Sequence, residues 1–482
     1  MKGSFLFGLC AFGAALTLPG GAWLADAAAA DSHVVQKPLY SGERPLGAED
    51  RAREPLPRGP LDMRGAVERA LRHNPGLGAE EAQSRSSEEG RKSARGAFGP
   101  RLGMSYSVTK QERRPASTQR PAEYGVDSWG IEVSQPVFQG FRLLATYQKA
   151  ALQADSDKAS VRQAELSMTE KVQTAFLNYL RAAENSLSEK ESLERLRDQL
   201  KITRAYYDVG LSPRLDVLQA EVDVSEAERS YIQAENSRET YLAELNTLLG
   251  LPATAQVAYA GTLRHVPFRF SLEQCLERAY RQRPDLYIAA KSVEIAGKSQ
   301  KEVQSEYYPQ IEAYYNITQE GNTPDLRNAG NHGSRMSSWE VGARATWEVF
   351  QWGTTYYADQ QAGWLVTKMR YEEEDLKLNV GYDIKSKLLA VREAEKRIGV
   401  AQKGVAQARE AYDVAVARYQ EHVGTNFDVL DASSNLKTAH SSLTGAKADY
   451  LTALAQLYVA MGEFHPDVTR AAARQNEVRP KK

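Results

Sequence analysis

Two periodicities divide this sequence. In four short segments apolar and polar residues alternate with period two, the spacing of a strand with one apolar face. Leu102, Met104, Tyr106 and Val108 alternate with Gly103, Ser105, Ser107 and Thr109, and Trp129, Ile131 and Val133 with Gly130, Glu132 and Ser134. Further on, Ile311, Ala313, Tyr315 and Ile317 stand against Glu312, Tyr314, Asn316 and Thr318. Trp339, Val341, Ala343, Ala345 and Trp347 stand against Glu340, Gly342, Arg344 and Thr346. The rest reads as helix. Phe141 to Val209 and Arg214 to Leu249 contain neither glycine nor proline and are rich in alanine, leucine, glutamate and lysine, the composition of uninterrupted helix. At about 1.5 Å per residue the first of these would be ~100 Å long, too long for a compact globule. Near the C-terminus Leu443, Ala446, Tyr450, Ala453, Leu457 and Ala460 alternate steps of three and four, a coiled-coil spacing whose small residues allow close helix approach.

The chain is also written twice. Val67-Glu68-Arg69-Ala70-Leu71 matches Leu276-Glu277-Arg278-Ala279-Tyr280 at an offset of 209, as Pro75 matches Pro284 and Pro100 matches Pro309. Trp129 pairs with Trp339 at 210, and Phe138 with Phe350, Tyr207 with Tyr419 and Asp216 with Asp428 at 212. A period this long points to two equivalent halves rather than a solenoid. The reading divides the chain into residues 1–30, a leader; 31–60, an extended arm; 61–252, the first repeat; 253–270, a linker; 271–463, the second repeat; and 464–482, a charged tail. Each repeat opens with a short and a medium helix. The first then has strands near 101–110 and 127–136 and helices near 141–209 and 213–249. The second has strands near 308–318 and 338–348 and helices near 354–421 and 426–461. Gly210 is expected as a left-handed helix-ending residue, with Ser212 as the next N-cap and Pro213 in the first turn.

Composition narrows the address and the chemistry. Met1-Lys2, an apolar stretch from Phe5 to Leu18 and Ala28-Ala29-Ala30 have the form of a secretory signal peptide. Cys10 lies inside it after the bulky Leu9, which does not suit lipidation, and Cys275 remains as a small buried hydrophobe. A net charge of −1 gives no electrostatic footprint for nucleic acid. No other stretch nears the ~20 apolar residues of a spanning helix, so a membrane role requires strands. The seven histidines are scattered without metal spacing, and there is no phosphate loop or nucleophile elbow. The chain is therefore expected not to be an enzyme and to carry no cofactor or metal.

Alternating strands with aromatic ends suit a membrane barrel, although a soluble hairpin shows the same alternation. Closure separates the two readings. Four strands cannot enclose a lumen, and unpaired edges in lipid cost several kcal/mol per group. Three copies would supply twelve strands, enough for an open lumen.

This plan resembles the TolC-type outer-membrane efflux proteins over nearly the whole mature chain. The resemblance rests on Ser134-Gln135-Pro136-Val137-Phe138-Gln139-Gly140 and Trp347-Glu348-Val349-Phe350-Gln351-Trp352-Gly353 at the strand-to-helix turns. It rests equally on Tyr207 to Ala220 and Tyr419 to Ala432 at two hairpin tips. It implies a mainly α, internally duplicated fold: a homotrimer with a twelve-strand β-barrel in the outer-membrane lipid of a Gram-negative cell, continued by a long α-helical coiled-coil barrel into the periplasm. Val209, Gly210, Leu211 and Ser212, with Val423, Gly424 and Thr425, would meet a periplasmic adaptor protein that connects to an inner-membrane transporter. One departure is His422, which aligns with Gly210 where the family usually carries glycine. Such a channel ends in a periplasmic gate. Asp428 and Asp431, three apart on one helical face, would form stacked acidic rings there, with Tyr419 and Arg214 as partners. Alternatively the two carboxylates face solvent or cap a turn. An alternative for the whole chain is a periplasmic coiled-coil scaffold without a pore.

Overall fold

The structure is a computed structural model that describes residues 59–113, 122–321, 336–421 and 423–464. The expectations for the leader, the arm up to residue 58, His422 and the tail after Phe464 lie outside the described residues.

Each repeat begins with two helices whose caps are written in the sequence. Helix α1 (Met63–His73) starts at Asp62, whose carboxylate accepts from the Gly65 N–H at 2.8 Å. Helix α2 (Pro75–Gly96) starts at Asn74, with Pro75 in the first turn where no N–H is needed. Their counterparts are α5 (Leu272–Gln282), opened by a Ser271–Gln274 capping box, and α6 (Pro284–Gln304).

The glycine- and proline-free runs form α3 (Arg142–Asp208) and α4 (Arg214–Leu248), joined at a tight tip. Their repeats are α7 (Thr354–Gln420) and α8 (Asn426–Ala460). The long members have 67 residues each and the short members 35 each, so the duplication is preserved to the residue in both hairpins. Helices α4, α3, α8 and α7 pack in that order toward the tips; nearer the sheet, α2 and α6 flank α3, and α6 also meets α7. None of the described helices is long and apolar enough to cross a membrane.

Four strands form one antiparallel sheet in the order β1 (Arg101–Arg113), β2 (Ala122–Gln139), β3 (Gln310–Gly321) and β4 (Met336–Thr346). The repeats meet where β2 pairs with β3, and β1 and β4 are the outer strands. β4 ends at Thr346, short of the expected 348. Trp347 to Gln351 lie outside it, whereas Gln135, Pro136, Phe138 and Gln139 of the equivalent stretch remain paired with β3. The same text has a partner in a central strand and none at an edge. Each half then enters its long helix through two consecutive left-handed residues, Gly140 and Phe141 at φ 58° and 68°, and Trp352 and Gly353 at 51° and 82°. Phe141 and Trp352 each carry strain of about 1–3 kcal/mol. Phe141 is held edge-on against Phe138 and Tyr308, with ring centroids 5.3 and 6.0 Å away.

The duplication reaches the interior, which has two apolar cores. In the first, Ala66 and Ala70 pack with Val172, Phe176, Leu245 and Leu249. In the second, Cys275 and Ala279 pack with Ile384, Leu388, Leu457 and Met461. These sets occupy equivalent places in the two repeats. Cys275 is a fully buried core residue in the place Ala66 holds in the first repeat, and burial pushes its thiol above the ordinary range. The Leu443-to-Ala460 stripe of α8 also belongs to this second core.

Candidate functional site

The first candidate region is the pair of hairpin tips. Helix α3 ends with Gly210 at φ 79°, and the Leu211 N–H reaches back to the Tyr206 carbonyl at 2.8 Å, a six-to-one bond that closes the helix end. Pro213, not Ser212, occupies the N-cap of α4, because the helix begins at Arg214 and Pro213 is extended. Ser212 Oγ instead donates to Asp216 Oδ2 at 2.7 Å. Val209 and Leu211 project into solvent with Leu215 beside them.

The second tip makes the equivalent bond, from the Val423 N–H to the Arg418 carbonyl at 2.9 Å, and the Gly424 N–H shares that acceptor at 3.0 Å. Thr425 stands where Pro213 stands in the first repeat and, having a hydroxyl, caps α8 fully. Thr425 Oγ1 accepts from the Asp428 N–H at 3.2 Å, and Asp428 Oδ2 accepts from the Thr425 N–H at 2.9 Å. That backbone N–H holds the Asp428 carboxyl below the usual carboxylate range. Asp431 is exposed and accepts from Asn435 Nδ2 at 3.1 Å.

Among the described residues, neither Tyr419 nor Arg214 contacts these carboxylates within the chain. Arg214 is exposed at the start of α4. Tyr419 is buried, its hydroxyl 3.4 Å from Thr203 Oγ1 and its ring 5.7 Å from that of Tyr206; burial pushes its pKa up.

Tyr419 belongs to a polar knot that sequence reasoning missed. Gln199 Nε2 donates to Asn426 Oδ1 at 2.8 Å, and Thr203 Oγ1 donates to the Gln199 carbonyl at 3.0 Å. All four side chains are buried and join α3 to α7 and α8 across the two repeats. One signal was available: Gln199 and Thr203 are four apart, so both lie on one face of α3.

The second candidate region is the sheet. Its register places Met104, Ile131, Ile317 and Trp339 in one row across all four strands, and Leu102, Val133, Tyr315 and Val341 in another. On the opposite face, one row runs Gly103, Glu132, Asn316 and Glu340. Tyr314 donates to Glu340 Oε1 at 2.6 Å on that face. Thus one continuous face is apolar and the other polar, and the apolar side chains of β1 and β4 are exposed. The outer edges of β1 and β4 carry no partner strand among the described residues.

The helices show the same incompleteness. On α4, Leu215, Leu218, Val222 and Ile232 are exposed; on α7, Tyr357, Trp364, Tyr371 and Leu378 are exposed at steps of seven. These are seam positions of a coiled coil on the two outermost helices of the layer.

The family model described as "Outer membrane efflux protein" matches residues 66–251 and 275–463, one stretch per repeat. The outer membrane protein TolC of Vibrio cholerae serotype O1 is 25% identical over 401 residues, spanning 82% of this chain and 89% of that protein. The alkaline protease secretion protein AprF of Pseudomonas aeruginosa is 22% identical over 399 residues, spanning 80% of this chain and 82% of that protein. Among solved structures, the Campylobacter jejuni CmeC outer membrane channel superposes with a TM-score of 0.74 at 17% identity, covering 86% of this chain and 89% of that one. At that identity the superposition establishes the fold.

Proposed function

Because this chain belongs to the outer membrane efflux protein family, we propose that three copies form one export duct, each copy giving four strands to a shared barrel and two helical hairpins to a shared tunnel. The protein is an outer-membrane channel subunit of the efflux and secretion class, extending into the periplasm. The observation that carries the trimer is the sheet: one face apolar across four strands, the other polar, and, among the described residues, an unpaired outer edge at each side. In lipid, unpaired backbone N–H and C=O groups cost several kcal/mol each, so β1 of one copy must pair with β4 of the next. The exposed seams of α4 and α7 support the same closure below the membrane. A coiled-coil scaffold without a pore leaves the two-faced sheet without a role.

In this assembly the helical tips surround the periplasmic mouth. Val209, Gly210, Leu211 and Ser212, with Val423, Gly424 and Thr425, form the surface offered to an adaptor protein that couples the duct to an inner-membrane transporter. The apolar Val209, Leu211 and Val423 are exposed there, as a docking surface requires. Asp428 and Asp431 give the mouth its negative charge. Asp428 caps the helix through Oδ2 while its side chain stays exposed, so an acidic ring and a firm helix start coexist. Tyr419 acts through the buried knot with Gln199, Thr203 and Asn426, holding the second hairpin against the first. Arg214, exposed at the start of α4, is the candidate partner for Asp428 or Asp431 of a neighbouring copy.

The mass of the detergent-solubilised complex from the outer-membrane fraction tests the trimer. Three chains per particle, dissociating only on heating in denaturant, is the expected result. A monomer freely soluble without detergent overturns the duct.

A further inference from the structure

We propose that the solvent-open cavity lined by α3, α8, the start of α1 and the linker before α5 is a binding site for a small amphipathic hydroxycarboxylate. It goes beyond channel function and lies away from the tips. The cavity has a volume of about 510 Å³, within the range of about 300–1,000 Å³ typical of small-molecule sites. One wall is apolar, built from Phe176, Leu177 and Leu180 of α3 and Leu451 and Ala455 of α8. Linker residue Gly261 lies directly on that wall, where an added Cβ would come within 2.9 Å of Leu180 and 3.0 Å of Phe176.

The polar groups define the ligand. Gln173 lines the cavity at 1% exposure, and neither its Oε1 nor its Nε2 has a hydrogen-bond partner. A buried amide left wholly unpaired is rare in native proteins and marks an unplaced partner. Arg64, also in the lining, has a buried Nε with no partner. The other polar lining groups are mostly committed. Asp62 caps α1 through Gly65, and His265 meets Glu395 Oε1 at 3.1 Å while lying against the Tyr450 ring. Arg264, exposed, adds a second guanidinium. The unspent groups are therefore chiefly cationic or neutral donors, with one amide acceptor. A carboxylate would accept from Arg64 and from Gln173 Nε2, an adjacent hydroxyl would donate to Gln173 Oε1, and an apolar body would cover the phenylalanine and leucines. Such a ligand touches α3, α8 and the linker together, and so bridges the two repeats.

The test is a fluorescence titration of the intact detergent-free complex, held in amphipol, with 3-hydroxy-2-naphthoate. Saturable binding below about 1 mM is expected. Arg64→Ala and Gln173→Leu should each weaken it by about tenfold or more, the loss of a charge-assisted or buried hydrogen bond. Gly261→Val should abolish it by filling the cavity. Neutral 2-naphthol should bind at least about tenfold more weakly than the hydroxycarboxylate. Elution volume and circular dichroism matching the parent establish that each variant is folded. If Gln173→Leu fails to assemble, Gln173→Glu, which sets a carboxylate against the anion, should abolish binding. Absence of saturable binding, affinity for 2-naphthol equal to that for the acid, or binding unmoved by Arg64→Ala and by the Gln173 variants would overturn the proposal. The assay reads binding rather than conduction, so its outcome is independent of the duct.

Discussion

Gln199 on α3 and Asn426 at the first residue of α8 lie 227 positions apart and are joined by a buried side-chain hydrogen bond of 2.8 Å. The bond crosses between the repeats just inside the tips, the region that the proposed gate would move. Asn426→Ala leaves Gln199 without its acceptor, which should cost about 1–3 kcal/mol. Replacing both partners with leucine removes the unpaired group and should be far milder. Denaturant melts of the single and double variants test the stability side. Under the gate proposal, single-channel recordings of the reconstituted complex should also show a higher resting conductance for Asn426→Ala; an unchanged current would separate the knot from gating.

The Asp428 cap gives the second tip an acid sensitivity. Its carboxyl is held below the ordinary range by the Thr425 N–H. A carboxylate with a lowered folded value contributes stability fully above its unfolded value, about 3.9, and loses it as pH falls through the lower folded one. The amides at the start of α8 should therefore exchange faster with solvent as pH drops below about 4, after correction for intrinsic exchange. Asp428→Asn should show the faster corrected exchange already at neutral pH, with no further rise in acid. Equal protection of parent and variant at pH 7 would remove the cap from the account of the tip.

Gly210 offers a purely conformational test. Its φ of 79° disfavours any L side chain, while an added Cβ meets nothing within 4 Å. Gly210→Ala should cost about 1–2 kcal/mol through backbone strain alone. Since the tip makes few other contacts, the loss should appear as local fraying measured by hydrogen exchange at 200–213. Uniform loss of protection throughout α3 would instead mean that the tip anchors the whole hairpin.

The long helices of the first repeat were legible because glycine and proline are absent from them, those of the second because they repeat that plan without proline although α7 holds Gly363, Gly381, Gly399 and Gly404, and the two-faced sheet because period two survives in every strand. The duplication was legible because matched prolines and tryptophans outlast the surrounding drift. What stayed hidden depends on partners distant in sequence. Phe138 and Phe350 sit in nearly the same text, yet residues around Phe138 pair with β3 while Phe350 falls outside any strand. Likewise Pro213 and Thr425 hold equivalent N-cap places, and only Thr425 has a side-chain oxygen for capping. The Gln199 knot needed three helices to be placed before its members met.

Duplication also supplies a natural reference for Cys275. Cys275 fills the site that Ala66 fills in the first core, so Cys275→Ala should cost only about 1 kcal/mol. Cys275→Ser buries a hydroxyl among apolar groups and should cost about 1–3 kcal/mol. Burial raises the thiol pKa, which favours the neutral thiol in the fold. Stability from this group should then fall as pH rises past the unfolded value of about 8.5, where the unfolded chain ionises first. A soluble aromatic disulfide reagent at pH 8 should label the chain only after denaturation; rapid labelling of the native complex would contradict the buried placement.

The two faces of the sheet give the sharpest contrast, because Trp339 and Glu340 are adjacent in β4 and point opposite ways. If the apolar face meets lipid, Trp339→Arg and Ile131→Arg each place a charge in the hydrocarbon, at about 2–4 kcal/mol near the midplane. Assembly and outer-membrane insertion should fall accordingly. Glu340→Arg reverses a charge on the polar face, where water is available, so the complex should assemble normally and show weaker cation preference in reversal-potential measurements. Should the sheet instead be a soluble hairpin pair packed against another protein, neither Glu340→Arg nor the parent would carry an ion-selective current. The three substitutions thus separate a barrel wall from a protein-covered sheet with one reconstitution experiment.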